Sequence, residues 1–399
     1  MLTRRLHAPF ALLTLLVPLT PLTVGGTARA QQPAAGAPPD TGRRPAAAAP
    51  ATPAPSVAMS GVIYGNYQYN TAQPNREANQ FLLDRVYLTA RATLGHGVGA
   101  RVTTDVFQAG DANGWTIRLK YGYLQHDAKA AGWTASTRAG MLQTVVIEHI
   151  ESFWPRFLGN TPTDRNGYFA SADVGVAELL TLPGKWGEVY STVVNGPGFS
   201  RRENDRFKDV ALRVSLTPLA ARNTGILSTL TVTGWFYEGA QASRFVNGGA
   251  DQLRAVHEGL RKDRRGAFIG VRDPRLVAGL EYAARDDGVE TGANTIADPR
   301  VAGEVSGRIR SAFAIVRPIA FASDSGRSRL GVVGRFDDVR PGTTRAFDVA
   351  GEEFHYLVAG LIWDATPRLS LALDYQEQIA RRKLVPDAKT YFAHFGLTF

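Results

Sequence analysis

The stretch Met141 to Asn166 brings charged side chains and aromatic rings together, with Glu148, His149, Glu151, Trp154, Arg156 and Phe157. A histidine flanked by two carboxylates resembles part of a metal cluster, but the ligand set is incomplete and its spacing weak, so no metal site is expected. The same mixture suits a different role, because opposite charges and rings set across a narrow aqueous passage sort solutes by size and charge. The segment could equally cap the molecule from outside, and the longer stretch 239–263, with Arg244, Arg254 and His257, is an alternative plug. Nucleophilic chemistry finds little support. The chain has no cysteine, which removes thiolate nucleophiles, thiolate metal sites and disulfide frameworks. No G-x-S-x-G elbow presents a serine, and the acidic residues are too dispersed for a paired-carboxylate site. Neither an enzyme nor a cofactor is expected.

A second set of charges recurs at alternate positions, opposite apolar rows. Its basic members are Arg85, Arg91, Arg101, Arg118, Lys120, Arg213, Arg285, Arg308, Arg310 and Arg335; its acidic members are Asp105, Glu281, Glu304, Asp337 and Asp374. If these rows line a channel, ten basic residues against five acidic ones favour anions, because fixed charge in a narrow passage concentrates counter-ions. Pairing of the same residues with one another to brace a wall is the competing reading.

The elements that must position these residues are strands. From Ser60 to Phe399 the hydrophobic pattern has a period of two, with no sustained helical stripe. Leu82, Val86, Leu88, Ala90, Ala92 and Leu94 oppose Arg85, Tyr87, Thr89, Arg91 and Thr93, with Asp84 an exception. Trp115, Ile117, Leu119, Tyr121 and Tyr123 oppose Arg118 and Lys120. About sixteen such segments follow one another, from 60–70 to 389–399, and the connections between them tend to alternate long and short. The last segment ends on one apolar row, Tyr391, Ala393, Phe395, Leu397 and Phe399. The expected fold is therefore all-β, a transmembrane antiparallel up-and-down β-barrel of about 16 strands, short turns on one rim and longer loops on the other. In lipid the apolar rows face out and the opposite rows line the interior. Tyr64, Tyr67, Tyr69, Trp115, Tyr121, Tyr123, Trp235, Tyr237, Tyr356, Trp363, Tyr375 and Tyr391 lie towards strand ends, where aromatic girdles are expected.

The N-terminus fits export to such a location. Arg4 and Arg5 precede an apolar run, and Ala28-Arg29-Ala30 supplies a small-residue cleavage site, so residues 1–30 read as a secretory signal peptide. Residues 31–59, rich in Ala and Pro, lack the apolar content to repay ordering and read as a disordered leader. The barrel is expected over 60–399. Of the net charge of +9, the first 30 residues carry +3. The scattered remainder does not argue for a nucleic-acid partner.

The stretches FLLDRVYLTARATLG at 81–95, RVTTDVFQ at 101–108, TRAGMLQTVVIEHIESFWPRFLG at 137–159, and SADVGVAELL with VYSTVVNGPGFS further on resemble the phosphate-selective porin family and related outer-membrane porin-like proteins. The resemblance covers roughly Ser60 to Phe399. It implies an outer-membrane channel of a Gram-negative-type bacterium, surrounded by outer-membrane lipid and open to passive diffusion of small hydrophilic solutes such as inorganic anions. It further implies a homotrimer whose third external loop turns into the pore. On it, Glu148, His149, Glu151 and Arg156 belong to that constricting loop. Phosphate-selective members carry an arginine ladder and dense lysines. This chain has few lysines and matches only through Arg85, Arg91, Arg101 and Arg118, so phosphate specificity is not carried over. A structural or partner-binding barrel is the alternative function, and a barrel enzyme a less favoured one.

Overall fold

The computed structural model describes residues 54–399, apart from 73, 109–113, 204, 222–224, 243–258, 292–300, 344–352, 382 and 384–385. The signal peptide, all but the end of the leader, and Arg244, Arg254 and His257 lie outside the described residues.

Alternation produces sixteen strands. They are β1 (Ser56–Asn70), β2 (Asn79–Gly95), β3 (Val98–Gln108), β4 (Trp115–Ala130), β5 (Trp133–Gln143), β6 (Ala172–Thr181), β7 (Gly187–Val194) and β8 (Asp209–Leu216), followed by β9 (Thr231–Ala242), β10 (Gly259–Arg272), β11 (Leu276–Thr291), β12 (Val301–Val316), β13 (Leu330–Thr343), β14 (Phe354–Asp364), β15 (Leu369–Ala380) and β16 (Ala388–Thr398). Each pairs antiparallel with its neighbour in sequence, and β1 pairs with β16, closing the barrel. Closure leaves no open sheet edge, which is the condition for strands to sit in lipid. β1 begins at Ser56, ahead of the expected start at residue 60.

The seam is held by backbone bonds between Gly61 and Phe399, 2.8 and 3.0 Å long. On its outer side, the rings of Phe399 and Phe395 lie where a Cβ on Gly61 or Gly65 would come within 2.3 or 2.5 Å of them. Only glycine admits that approach. At one rim the hairpins are tight: Gly95, His96 and Gly97 all have positive φ, as do Ala131 and Gly132, the geometry such turns need. The opposite rim carries the longer connections, among them 144–171 and 195–208.

The outer wall is apolar. Phe81 is 84% exposed, Ile117 68% and Leu373 65%, a surface that water would penalise and a bilayer would cover. Two bulges alter the row assignments. At Asp84 the β1–β2 register slips, so Leu82 joins the inner row beside Asn66, and Asp84 accepts a 2.6 Å bond from the Asn66 amide. At Lys120 the β3–β4 register slips, and beyond it Tyr121 and Tyr123 turn into the lumen with Arg118 and Lys120 instead of opposing them. A bulge adds one residue to one strand and so inverts a period of two.

The third correction concerns β12. Arg308, Arg310 and Glu304 were expected inside, yet all three face outward, while Gly307, Ile309, Ser311, Phe313 and Ile315 form the inner row. The cause lies in the lumen. The 144–171 connection folds into the barrel and buries Val145, Val146, Ile147, Ile150, Trp154 and Leu158 against Phe268, Ile309, Phe313, Val333 and Val358 of the wall. Half the lumen is thus an apolar core, and strands beside it carry apolar residues inward. For the same reason Trp235, Tyr237 and Tyr356, expected in a girdle, are buried inside, as Tyr64 is turned inward against Phe157. Trp115, Trp363, Tyr69 and Tyr391 remain on the outer surface.

Candidate channel constriction

The inserted connection is short elements strung between anchors. α1 (Ile147–Glu151) turns Ile147 and Ile150 into the core, and α2 (Pro162–Arg165), opened by a proline at its first position, buries Thr163. Between them Trp154 is fully buried, its ring edge-on to Phe313 at 5.5 Å and its indole N–H donating to the Gly159 carbonyl at 3.0 Å. Arg335 on β13 completes the attachment. It donates to the Asn160 carbonyl at 2.6 Å, forms a close pair with Asp337, and lies over the rings of Trp154 and Tyr356. Arg335 is therefore a bracket between wall and loop.

His149 is a second bracket. Arg213 on β8 donates to its Nδ1 at 2.8 Å, and its Nε2 meets the Thr233 hydroxyl at 2.9 Å. A guanidinium cannot accept, so Nδ1 carries no proton and Nε2–H donates to threonine: the ring is neutral. Burial, reinforced by the Arg213 charge, holds its pKa down to about 3. Edge-on rings of Phe153 and Phe268 fill its surroundings. Both nitrogens and both faces are committed to protein.

The other loop charges are partly buried and largely paired. Arg156 pairs with Asp164 at 2.7 Å and Glu151 at 3.4 Å, and Glu148 approaches Arg101 of β3 at 3.5 Å. Burial raises the Glu151 carboxyl to about 7. Glu148, Glu151 and Arg156 border a cavity of about 330 Å³ between the loop and the β1–β4 wall, which also presents Arg91, Arg101 and Lys120. A second cavity, of about 700 Å³, opens among Tyr168, Phe169, Arg201, Arg202, Asp205, Lys262, Arg264 and Asp287. Each is lined by four basic and two acidic residues.

Arg85, Arg91, Arg101, Asp105, Arg118, Lys120, Arg213, Arg285 and Arg335 all lie on the inner wall. They are not one continuous ladder. Arg85 and Arg118 converge on the buried carboxylate of Asp105, at 3.5 and 2.7 Å. Lys120 bonds Ser171 and lies 4.7 Å from the Phe199 ring centre. Arg285 and Arg264 grip the far end of the loop, Arg264 through a 3.0 Å bond to the Tyr168 carbonyl and Arg285 over the Tyr168 ring. Among the described residues, Arg91 and Lys120 have no acidic partner within ion-pair distance.

Sequence reasoning missed Arg138, Lys262 and Arg264. Arg138 faces inward over Tyr123 and Tyr190, on a strand whose many small residues blur the alternation. Lys262 and Arg264 stand in a charged run whose pattern hides the start of β10. Residues 167–171 belong to the loop, ahead of β6. Phe169 packs edge-on to Trp235 and Tyr237 there.

A closed sixteen-stranded barrel with an inward third connection invites comparison with solved structures. OmpF of Salmonella typhi, solved with daunomycin, superposes with a TM-score of 0.59 at 11% identity, covering 86% of this chain and 97% of that one. The anion-selective porin from Comamonas acidovorans gives 0.53 at 12% identity, with 86% and 100% covered. The fold is that of the outer-membrane porins. OmpT of Vibrio cholerae, in a trimer form, gives 0.53 at 9% identity, with 87% and 100% covered. No protein-family model matches the sequence, and no curated protein matches it. The likeness to these porins is one of architecture, and it does not single out the phosphate-selective group.

Proposed function

We propose that this protein is an outer-membrane porin of a Gram-negative bacterium, a passive, non-enzymatic diffusion channel for small hydrophilic solutes that prefers anions. The supporting observation is the lining of the two lumenal cavities, where basic residues outnumber acidic ones two to one in each. Arg201 and Arg202 at the wide mouth raise the local concentration of anions. Arg91 and Lys120, free of acidic partners among the described residues, carry that bias past the loop, while Arg101 and Arg156 sit opposite Glu148 and Glu151 and contribute less net field. The narrower cavity is set against the β1–β4 wall, because the apolar half of the loop packs on the wall across the lumen, against Phe268, Ile309, Phe313, Val333 and Val358. Inorganic anions and small organic anions are the solutes this geometry favours.

The same reading places lipid around the apolar wall and, from the resemblance to porins, three copies in the assembly. It predicts that liposomes containing the purified mature protein swell in isotonic solutions of small sugars at rates that fall steeply with solute size. Swelling indistinguishable from protein-free liposomes would refute the channel. Mass measurement of the detergent-solubilised protein tests the trimer directly.

A further inference from the structure

Arg308 and Arg310 project from the outer wall towards the rim that carries the longer connections. Strand register sets them in two neighbouring rows. Arg310 lies between Tyr282 and Asp338, one row above an apolar row that includes Leu280 and Phe336, 58% and 46% exposed. Arg308 lies one row higher and directly opposite Arg340. Like charges facing each other across two strands destabilise a sheet unless an anion lies between them.

The wall supplies an anion to Arg340 alone, whose Nε lies 3.9 Å from Asp338 and 3.8 Å from Glu353. Asp338 is engaged by Arg381 at 2.8 Å and by His355 at 3.7 Å. Among the described residues, Arg308 and Arg310 have no hydrogen-bond or ion-pair partner, and the Nε of Arg308 is buried without an acceptor. A buried guanidinium N–H with nothing to donate to is costly, and its forked donors match phosphate oxygens in shape and charge. The level is also that of a headgroup: the apolar band ends just beneath, and Tyr282 stands at its edge, where tyrosine favours the boundary between hydrocarbon and water.

We propose that Arg308 and Arg310 form an external site for the phosphate group of a membrane lipid in the leaflet beside the long-loop rim. The inference rests on the reading that the barrel spans a membrane. The patch continues the lipid-facing surface, so a lipid reaches it with its chains against Leu280 and Phe336 and its phosphate among the arginines. The two side chains thereby tie the barrel to lipid without touching the lumen.

The test is mass spectrometry of the intact protein in detergent, titrated with bis-phosphorylated lipid A, with dephosphorylated lipid A of the same chains, and with inorganic phosphate. The expected result is a retained adduct with the phosphorylated lipid alone. The Arg308→Gln/Arg310→Gln double variant should weaken it by about tenfold or more, as loss of charge-assisted bonds implies. Wild-type and variant conductance in planar bilayers, expected to be equal, shows that both fold and span. Equal retention of the dephosphorylated lipid, displacement by millimolar phosphate, or an unweakened double variant would overturn the site. Conducting channels without lipid retention would overturn this inference alone, whereas absence of insertion would overturn the membrane-spanning reading beneath it.

Discussion

At the scale of single residues, Glu151 gives the channel a pH response. Burial holds its carboxyl up to about 7, so the group is largely charged at pH 8 and largely neutral at pH 6. Its negative charge adds to that of Asp164 in offsetting Arg156 beside it. Anion preference should therefore rise as pH falls through 7, read as a shift in reversal potential under a salt gradient. The Glu151→Gln variant should hold the low-pH value throughout and lose the response. Arg91 and Lys120 act in the opposite sense: Arg91→Glu or Lys120→Gln should each lower the preference for chloride over potassium, with the larger change from the charge reversal. His149 contributes differently. It is neutral and fully bonded between Arg213 and Thr233, so its role is mechanical. Replacing it by alanine removes an acceptor from a buried guanidinium, a loss of about 1–3 kcal/mol, and should appear as noisier open-channel current with unchanged selectivity.

Among the elements, the inserted loop is the one that the rest of the barrel is built to hold. Trp154→Ala would empty the largest buried side chain of its core, at a cost of about 3–5 kcal/mol. Because that core lies inside a barrel closed by its own backbone bonds, the loop should loosen while the wall persists. The expected outcome is a larger and more variable conductance, and faster proteolysis within 144–171, with heat-modifiable electrophoretic mobility retained. The period of two and the sixteen strands were legible in sequence because each strand has one face in lipid. The inward fold of 144–171 was one of two open readings, since its mixed charges and rings suit a cap as well as a constriction. The bulges at Asp84 and Lys120 were not legible, since an inserted residue looks like a mere break in a pattern. Asp84 was visible as such a break, yet nothing local says that the register slips there. The outward placement of Arg308 and Arg310 was illegible for a deeper reason. The rule that apolar rows face lipid presumes a polar lumen, and β12 instead sees the apolar back of the loop. Ile309, Phe313 and Ile315 opposite those arginines were the available signal.

For the whole molecule, the distribution of charge follows from this division of the lumen. One side is a packed core, braced by Arg335 and Asp337. The other is a wet wall where Arg91, Arg101, Lys120 and Arg156 meet Glu148 and Glu151. In the proposed channel solutes pass on the wet side, so a small number of residues should govern both size and charge selection. The anchoring of the loop, by Arg213 at His149 near its start, by Arg335 at Asn160 in its middle and by Arg264 and Arg285 at Tyr168 near its end, keeps that division fixed. The measurement that tests this most directly is the single-channel current of the refolded mature protein in a planar bilayer, with the reversal potential taken across a potassium chloride gradient. The structure predicts discrete, long-lived open steps and a reversal potential displaced towards that of chloride. Folded, inserted barrels that pass no current, or a displacement towards potassium, would contradict it.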